Sequence, residues 1–200
     1  MSPAPKPSPA RLILASSSPY RRQLLARLGV DFESVSPAVD ETPQPGELPQ
    51  RLVARLAEQK ARAVAARCPS SLIIASDQVA SLNGEILTKP GNFANAQQQL
   101  QACSGHSVAF YTSLALLNGV DDHLQVAVEI TDVQFRELDE GQICRYLERE
   151  QPYDCAGSFK VESLGISLFS AIHGDDPNAL VGLPLIRLVE FLNREGLSIP

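Results

Sequence analysis

Short apolar runs alternate along this chain with longer segments whose apolar residues recur at helical spacing. The first run, Leu12 to Ala15, predicts a buried strand, and three serines separate it from a helix that starts at Pro19. A second run, 71–77, has the pattern of a strand that is buried on both faces of a sheet. These patterns predict an α/β fold whose first half is mainly parallel.

The most regular helical periodicity extends from Pro49 to Arg67, and Lys60 lies on the apolar face of this predicted helix. A lysine in that position loses hydration unless its ammonium group reaches water or meets a fixed anion. Reaching water is the commoner outcome, so the pattern alone leaves both possibilities open.

The second half of the chain has the pattern of an antiparallel sheet. Asn83-Gly84 separates two short apolar segments and predicts a hairpin with a type I′ turn. Two long runs, His106–Asn118 and His123–Phe135, predict a second antiparallel pair. Further predicted elements are the helices Asn92–Ala102, Asp139–Glu150 and Leu185–Asn193 and the strands Asp31–Ser36 and Gly165–Phe169.

We find no internal repeat and no linker that would divide the chain. We therefore expect a single domain over residues 11–196, in which the antiparallel middle forms a second lobe over the mainly parallel half. Residues 1–10 are rich in Pro and Ser and have no apolar core, which predicts a disordered tail and not a signal peptide.

Composition and charge exclude several classes of partner. The 200 residues are 44% hydrophobic, which is enough for one substantial core, and the net charge of -6 disfavours binding to nucleic acid or to a membrane surface. No apolar run is long and uncharged enough to span a bilayer. Four cysteines without metal-ligand spacing predict reduced thiols, as in a cytoplasmic protein.

The turn after the first strand has the composition of a phosphate-binding site. Ser16, Ser18, Arg21 and Arg22 surround the start of a helix, where free backbone N–H groups and guanidinium groups favour anions. An ordinary strand-to-helix turn with a serine cap and a surface arginine pair would give the same pattern. The rest of the chain must decide between the two interpretations.

Two carboxylates and three lysines supply the missing part of such a site. Asp77 follows the second buried strand and should lie at the same sheet edge as the first turn, while Glu41 lies in a proline-bounded loop. Lys60, Lys89 and Lys160 are three of only four lysines among 17 basic residues. Carboxylates that hold Mg²⁺ or Mn²⁺, with cations that neutralise phosphate, suit hydrolysis of a nucleoside triphosphate by water.

Several separated motifs resemble one known family, the Maf nucleotide pyrophosphatases, over Arg11 to Gly196. The motifs are Ala15-Ser-Ser-Ser-Pro-Tyr-Arg21, Val39-Asp-Glu41, Leu56 to Ala61, Ser76-Asp-Gln78, Thr88-Lys-Pro90, Ala156-Gly-Ser-Phe159 and Val181-Gly-Leu-Pro184. The resemblance implies a mixed, twisted central sheet flanked by helices, similar to the inosine-triphosphate pyrophosphatases, with an active-site cleft between two lobes. It also implies a divalent metal, a homodimer, and cleavage of a nucleotide between its α- and β-phosphates.

The same resemblance implies roles for individual residues. Asp77 matches the family's proton acceptor, with Glu41 as a second metal ligand or base. The other implied roles are catalysis for Lys60 and Lys89, and phosphate binding for Ser16, Ser18, Arg21, Arg22 and Lys160.

Three further positions, Tyr20, Gln78 and Glu162, resemble the specificity set of the branch that acts on 7-methyl-GTP. The branch that acts on UTP and dTTP typically has Arg, Thr and Gln there and lacks Lys160, whereas the 7-methyl-GTP branch often carries Trp in place of Tyr20. An aromatic face attracts the cationic N7-methylguanine ring, and a carboxylate accepts hydrogen bonds from its N1–H and N2–H₂ edge. The alternatives are a pyrophosphatase for UTP, dTTP or other noncanonical nucleotides, and a nucleotide-binding regulator of septum formation or cell division.

Overall fold

The computed structural model describes residues 11–199, so the predicted tail, 1–10, lies outside the described residues. The helices are α1 (Pro19–Ala26), α2 (Pro49–Ala65), α3 (Phe93–Cys103), α4 (Glu140–Glu150) and α5 (Leu185–Arg194). The strands are β1 (Leu12–Leu14), β2 (Glu33–Ser34), β3 (Leu72–Ala75), β4 (Gln78–Leu82), β5 (Glu85–Leu87), β6 (Ser107–Asn118), β7 (His123–Phe135) and β8 (Phe169–His173).

The strands form one mixed sheet in the order β2-β1-β3-β6-β4-β5, and β7 and β8 continue it from β6. Strands β1, β2 and β3 are parallel, and the remaining pairs are antiparallel. The predicted mixed sheet is therefore confirmed. The antiparallel half is continuous with the parallel half because β6 pairs with strands of both.

Strands β3 and β4 pair with successive parts of one edge of β6, and this arrangement places the residues between them near the centre of the sheet. Ala75 pairs with Ala115, and Gln78 pairs with Thr112, so the chain leaves the ladder between them at Ser76 and Asp77. The other edge of β6 is fully occupied by β7. Asp77 is thus held at a break in the sheet, where its side chain is free to point away from the strand pairing.

Helices cover both faces of the parallel strands, as the apolar runs predict. Alternate residues of β1 and β3 contact α2 on one face, including Ile13 and Ile73, while their neighbours contact α1 and α5 on the other. The antiparallel half has its own core against α3 and α4, centred on four phenylalanines with ring centroids 4.6 to 5.8 Å apart. No helix within residues 11–199 is both long enough and apolar enough to cross a membrane.

Two strand predictions need correction. The predicted strand Gly165–Phe169 is wrong, because Leu164–Leu168 forms a 3₁₀ helix and β8 begins only at Phe169. Gly165 donates its N–H to the carbonyl of Lys160, and a Cβ atom at Gly165 would lie 2.3 Å from that oxygen, so the chain folds back tightly. The predicted strand Asp31–Ser36 is shorter than expected, since only Glu33–Ser34 pairs with β1.

The predicted hairpin at Asn83-Gly84 is confirmed. Both residues have positive φ angles, 52° and 89°, as a type I′ turn requires. This turn joins β4 to β5, and Lys89 follows shortly after β5 ends.

Candidate active site

A cleft of about 380 Å³ opens at the ends of β1 and β3. Its walls come from the turn after β1, the loop before α2, the 3₁₀ segment Ala156–Ser158 and the turn before α5. The predicted site residues that line it are Ser16, Ser18, Tyr20, Arg21, Glu41, Lys60, Gln78, Lys89, Lys160 and Glu162. The cleft therefore brings together residues that lie far apart in the sequence.

Two predicted residues are not among those that line the cleft. Asp77 is buried directly behind Lys60, which it contacts. Arg22 is exposed on α1, because successive residues of a helix point about 100° apart and Arg21 takes the inward direction.

Lys60 connects the two predicted catalytic carboxylates. Its Nζ atom lies 2.5 Å from Oδ1 of Asp77 and 2.7 Å from Oε1 of Glu41. The side chain of Lys60 is only 6% exposed, so its ammonium group meets fixed anions and does not reach bulk water. The two carboxylates are thereby held within reach of a single cation.

The backbone around Asp77 is fixed by β6. The N–H of Asp77 donates to Oγ of Ser113, and the N–H of Ser113 donates to the carbonyl of Asp77. These bonds replace the strand pairing that is interrupted between β3 and β4. The position of the Asp77 carboxylate is therefore set by the most central strand of the sheet.

Glu41 reaches the cleft from the loop between β2 and α2, where its side chain is 57% exposed. Burial acts to raise the pKa of Glu41, but the hydrogen bond and charge of Lys60, assisted by Lys89 and Arg21, lower it overall. Glu41 is therefore ionised at neutral pH, as a metal-binding or phosphate-orienting carboxylate must be.

The start of α1 is capped by serine hydroxyl groups, and one arginine beside it is fixed in place. Oγ of Ser18 caps the helix by accepting from the N–H of Arg21, and Oγ of Ser16 accepts from the N–H of Ser18. The Nε atom of Arg21 donates to the carbonyl of Gly182 at 2.8 Å. Burial lowers the pKa of Arg21 while Asp77 and Glu41 raise it, and an arginine remains protonated in any case.

The side chains of the cleft fall into two groups, which we distinguish by the charges that act on Glu41 and on Tyr20. Lys60, Lys89 and Arg21 lower the pKa of Glu41, and we call the part of the cleft that they form the cationic end. Tyr20 responds to Asp154, Cys155 and Lys160, and with Glu162 these form what we call the aromatic end.

Lys160 belongs to the aromatic end, beside Tyr20, although the family resemblance gave it a phosphate-binding role. Burial acts to lower the pKa of Lys160, whereas Tyr20, Cys155, Asp154 and Glu150 raise it overall. Burial, reinforced by the negative charge of Asp154, raises the pKa of the Cys155 thiol to about 12, so this cysteine is protonated and a poor nucleophile.

Gln78 lines the cleft with its amide group fixed. Its Nε2 atom donates to Oγ1 of Thr112 and to the carbonyls of Ala179 and Leu180, at 2.9 to 3.0 Å. The nitrogen is thus committed to the protein, which leaves the amide oxygen as the atom available to a ligand.

Sequence reasoning missed two residues that shape the cleft. Asp154 adds a second carboxylate beside Glu162, and only its position just before the Cys155-Ala-Gly-Ser run could have drawn attention to it. Gly182 has a φ angle of 121° and accepts hydrogen bonds through its carbonyl from Arg21 and from Oγ of Ser76. Gly182 belongs to the motif Val181-Gly-Leu-Pro184, to which the sequence alone assigns no role.

Among the described residues, no three or more His, Cys, Asp or Glu side chains form a cluster that could hold a metal ion by themselves. Glu41 and Asp77 would supply two oxygen ligands from the protein. This number fits Mg²⁺ and Mn²⁺ in nucleotide enzymes, where substrate phosphates and waters complete the coordination.

The mixed sheet flanked by helices defines an α/β protein with a charged cleft at the ends of its parallel strands. The family model for Maf-like protein matches residues 11–195, and the chain therefore belongs to that family.

Similar proteins include three bacterial relatives that carry the name 7-methyl-GTP pyrophosphatase. The protein of Nitrosococcus oceani is 58% identical over 192 residues, which are 96% of each chain. Those of Pseudomonas aeruginosa and Pseudomonas syringae are 57% and 56% identical over 189 residues, 94% of this chain and 98% of theirs. Among solved structures, the Staphylococcus aureus Ham1 protein has a TM-score of 0.47 and 17% identity, over 64% of this chain and 72% of its own.

Proposed function

We propose that this protein hydrolyses 7-methyl-GTP to 7-methyl-GMP and pyrophosphate, by attack of water between the α- and β-phosphates. One observation carries the proposal: a single cleft holds a cationic end around the Lys60-linked carboxylates and an aromatic end with two carboxylates. The names of the relatives at 56–58% identity support the same substrate. Such hydrolysis would remove a modified nucleotide from the cellular pool.

The cationic end would bind the triphosphate. Arg21, Lys60 and Lys89 carry positive charge, and the N-terminus of α1 adds backbone N–H groups beside Ser16 and Ser18. Stabilising the charge that develops on phosphate oxygens is the main requirement for cleaving a phosphoanhydride.

Glu41 and Asp77 would hold a divalent cation, Mg²⁺ or Mn²⁺. When bound, this cation supplies charge neutralisation of the phosphates next to the scissile bond. Lys60 keeps both carboxylates at the cleft in its absence, so the ligand pair is formed before the substrate arrives.

Asp77 would also accept the proton of the attacking water. Its backbone is anchored by Ser113, and its buried carboxylate is held by Lys60, so it cannot rotate freely. A fixed orientation of the base toward water contributes to the rate because less ordering is needed in the transition state.

The aromatic end would recognise the base. Methylation at N7 gives the guanine ring a positive charge, which the face of Tyr20 would attract by about 0.5 to 2 kcal/mol. Glu162 would accept hydrogen bonds from the N1–H and N2–H₂ groups, and Asp154 would add negative charge nearby. A neutral pyrimidine lacks the ring charge, so it gains less from the face of Tyr20 and from the two carboxylates.

We also propose a cytoplasmic location and a homodimer. The free thiols of all four cysteines support the first. The second follows only from the family resemblance, and light scattering of the purified protein would test it.

The decisive experiment measures pyrophosphate release from 7-methyl-GTP, GTP, UTP and dTTP, each with Mg²⁺ and with Mn²⁺, for the wild type and for Asp77→Asn. We expect 7-methyl-GTP to give the highest kcat/KM, and we expect Asp77→Asn to lower it by about 10² to 10⁴-fold, the usual contribution of a general base.

Other results would contradict the proposal in recognisable ways. Preference for UTP or dTTP would point to another pyrophosphatase, and binding without turnover of any of the four nucleotides would point to a regulator. An Asp77→Asn variant as active as the wild type would remove Asp77 from catalysis.

A further inference from the structure

The segment that carries Glu41 is a long loop with little support from beneath. Residues 35–48, which we call the Glu41 loop, connect β2 to α2 and include no helix or strand. Most of their side chains are exposed, and an open groove of about 650 Å³ lies between the loop and α2. Apolar packing holds the first residue of the loop, Val35, against the core, but the segment around Glu41 is exposed.

Arg55 of α2 is bound to this loop at two points. Its Nε and Nη2 atoms each lie 2.7 Å from an oxygen of Glu47, which gives a bidentate pair. Nη2 also donates to the carbonyl of Thr42, the residue after Glu41, at 3.2 Å. One guanidinium group on a rigid helix therefore fixes the loop both beside Glu41 and close to where α2 begins.

The pair is well formed and partly shielded from water. The side chains of Arg55 and Glu47 are 21% and 8% exposed, and Nη1 of Arg55 is held by Gln59 at 3.1 Å. The hydrogen bond from Arg55, with a second from the backbone of Gln44, lowers the pKa of Glu47 to about 2. The contact therefore stays ionised at any pH at which the protein would work.

The other contacts of the Glu41 loop either shape it from within or hold its first residues. Asp40 accepts from the N–H and hydroxyl of Thr42, and Arg67 donates to the carbonyl of Ser36 at the start of the loop. In the rest of the loop, after Ser36, two side-chain links join it to the body of the protein: the contacts of Arg55 and the contact between Lys60 and Glu41.

We propose that Arg55 is a positioning residue, which holds the Glu41 loop so that Glu41 stands opposite Asp77 at the cleft. This inference rests on the proposed function of Glu41 as a ligand of the divalent cation. Without the link, the loop spends part of its time with Glu41 displaced. The apparent affinity for the cation then falls by the fraction of molecules in which both carboxylates are in place.

The test uses Arg55→Met, Glu47→Gln and the double variant, with Arg62→Met as the matched control. Arg62 lies on the same helix and pairs with Glu58 and Asp122, but it makes no hydrogen bond to the Glu41 loop. Two quantities are measured: hydrogen exchange of residues 39–47 in the free protein, and the Mn²⁺ concentration that gives half-maximal hydrolysis of 7-methyl-GTP.

We expect Arg55→Met to exchange these amides about tenfold faster and to need about tenfold more Mn²⁺, and Glu47→Gln to show a smaller change in both, because it leaves the bond from Arg55 to the carbonyl of Thr42. The double variant should match Arg55→Met, because that substitution alone already removes both contacts. At saturating Mn²⁺ the kcat should recover, which a general loss of structure would not allow. Arg62→Met should leave the loop exchange and the Mn²⁺ requirement unchanged.

The outcomes separate this inference from the proposed function. A wild type that does not cleave 7-methyl-GTP would overturn the proposed function alone, since loop exchange is measured without substrate. Unchanged loop exchange in Glu47→Gln, which alters no side-chain size and needs no refolding of α2, would overturn the role of Arg55. Additive effects in the double variant, or equal effects in Arg62→Met, would overturn it as well.

Discussion

At the scale of single residues, Lys60 decides how the cleft is organised. A buried ammonium group loses hydration, and a buried carboxylate loses hydration as well, so each stabilises the other only when they touch. The contacts at 2.5 and 2.7 Å satisfy both Asp77 and Glu41 with one cation. The lysine on the apolar face of α2 thus holds the loop carboxylate of Glu41 and the buried carboxylate of Asp77, at the end of β3, to one cation.

A single charge at the aromatic end should control the choice of base. We expect Glu162→Gln to lower the ratio of kcat/KM for 7-methyl-GTP over GTP by about tenfold, which corresponds to 1.4 kcal/mol. The amide keeps the size of the side chain but removes the negative charge that favours a cationic ring and presents a donor to the base edge. Parallel turnover assays with the two nucleotides provide the measurement.

Lys89→Met is the matched control for that experiment, because Lys89 lines the same cleft but influences Glu41 at its cationic end. It should lower kcat/KM for both nucleotides and leave their ratio intact. An unchanged ratio in Glu162→Gln would show that this carboxylate does not read the base.

At the scale of elements, the turn before α5 joins the two sides of the cleft. The carbonyl of Gly182 accepts from Arg21 and Ser76, and the carbonyl of Ala179 accepts from Thr112 and Gln78. The turn therefore carries no catalytic side chain of its own, but it fixes the guanidinium group of α1 through its backbone.

Substitution of Gly182 should show two effects: backbone strain, which lowers stability, and disturbance of the contact with Arg21, which lowers activity. At Gly182→Ala the φ angle of 121° is unfavourable, and the new Cβ would lie 3.4 Å from Nε of Arg21. We expect about 1 to 3 kcal/mol lower stability, measured by urea unfolding, together with at least tenfold lower kcat/KM.

Gly29→Ala is the comparison, since Gly29 also has a positive φ but open space around it. It should lose stability and keep its activity. Equal activity losses in the two variants would mean that the contact with Arg21 is not what matters at Gly182.

Much of this element-scale picture could be predicted from the sequence, and the rest depends on tertiary contacts. Strands β1 and β3 and helix α2 follow from local apolar periodicity, which burial enforces directly. The segment after Lys160 has a similar pattern, but the backbone bond from Gly165 makes it a 3₁₀ helix.

The same distinction applies to the side chains of the site. Arg21 and Arg22 are adjacent in sequence, and the structure distinguishes them because Arg21 points inward to the carbonyl of Gly182 while Arg22 is exposed. Arg55 lies on the polar face of α2 among other charges, so nothing in the sequence pattern distinguishes it as the residue that contacts Glu47. Motifs identify the types of residue that the chemistry needs, whereas the groups that hold them in place are distant in the sequence.

At the scale of the whole molecule, the buried contacts of Glu195 and the residue that anchors Asp77 lie at separate points along β6, one at its end and one near its middle. Glu195 is buried at the end of α5, where its carboxylate accepts hydrogen bonds from Asn118 and Gln125 and contacts His123. Ser113, which anchors Asp77, lies five residues from Asn118 along β6, or roughly 17 Å.

Loss of the Glu195 charge should therefore change stability alone. We expect Glu195→Gln to lower the free energy of unfolding by about 2 kcal/mol, because its new amide group would face donors that then lack acceptors. Urea unfolding measures this free energy, and steady-state turnover of 7-methyl-GTP should give unchanged kcat and KM. A variant with normal stability but impaired turnover would contradict this division of the molecule.

The hydrogen bond between Arg21 and Gly182 spans 161 positions of the chain. A ribosome would therefore release β1 and α1 into solution long before the turn that orients their arginine is synthesised. The orientation of Arg21 is therefore fixed only after all the predicted site residues, the last of which is Glu162, have been synthesised.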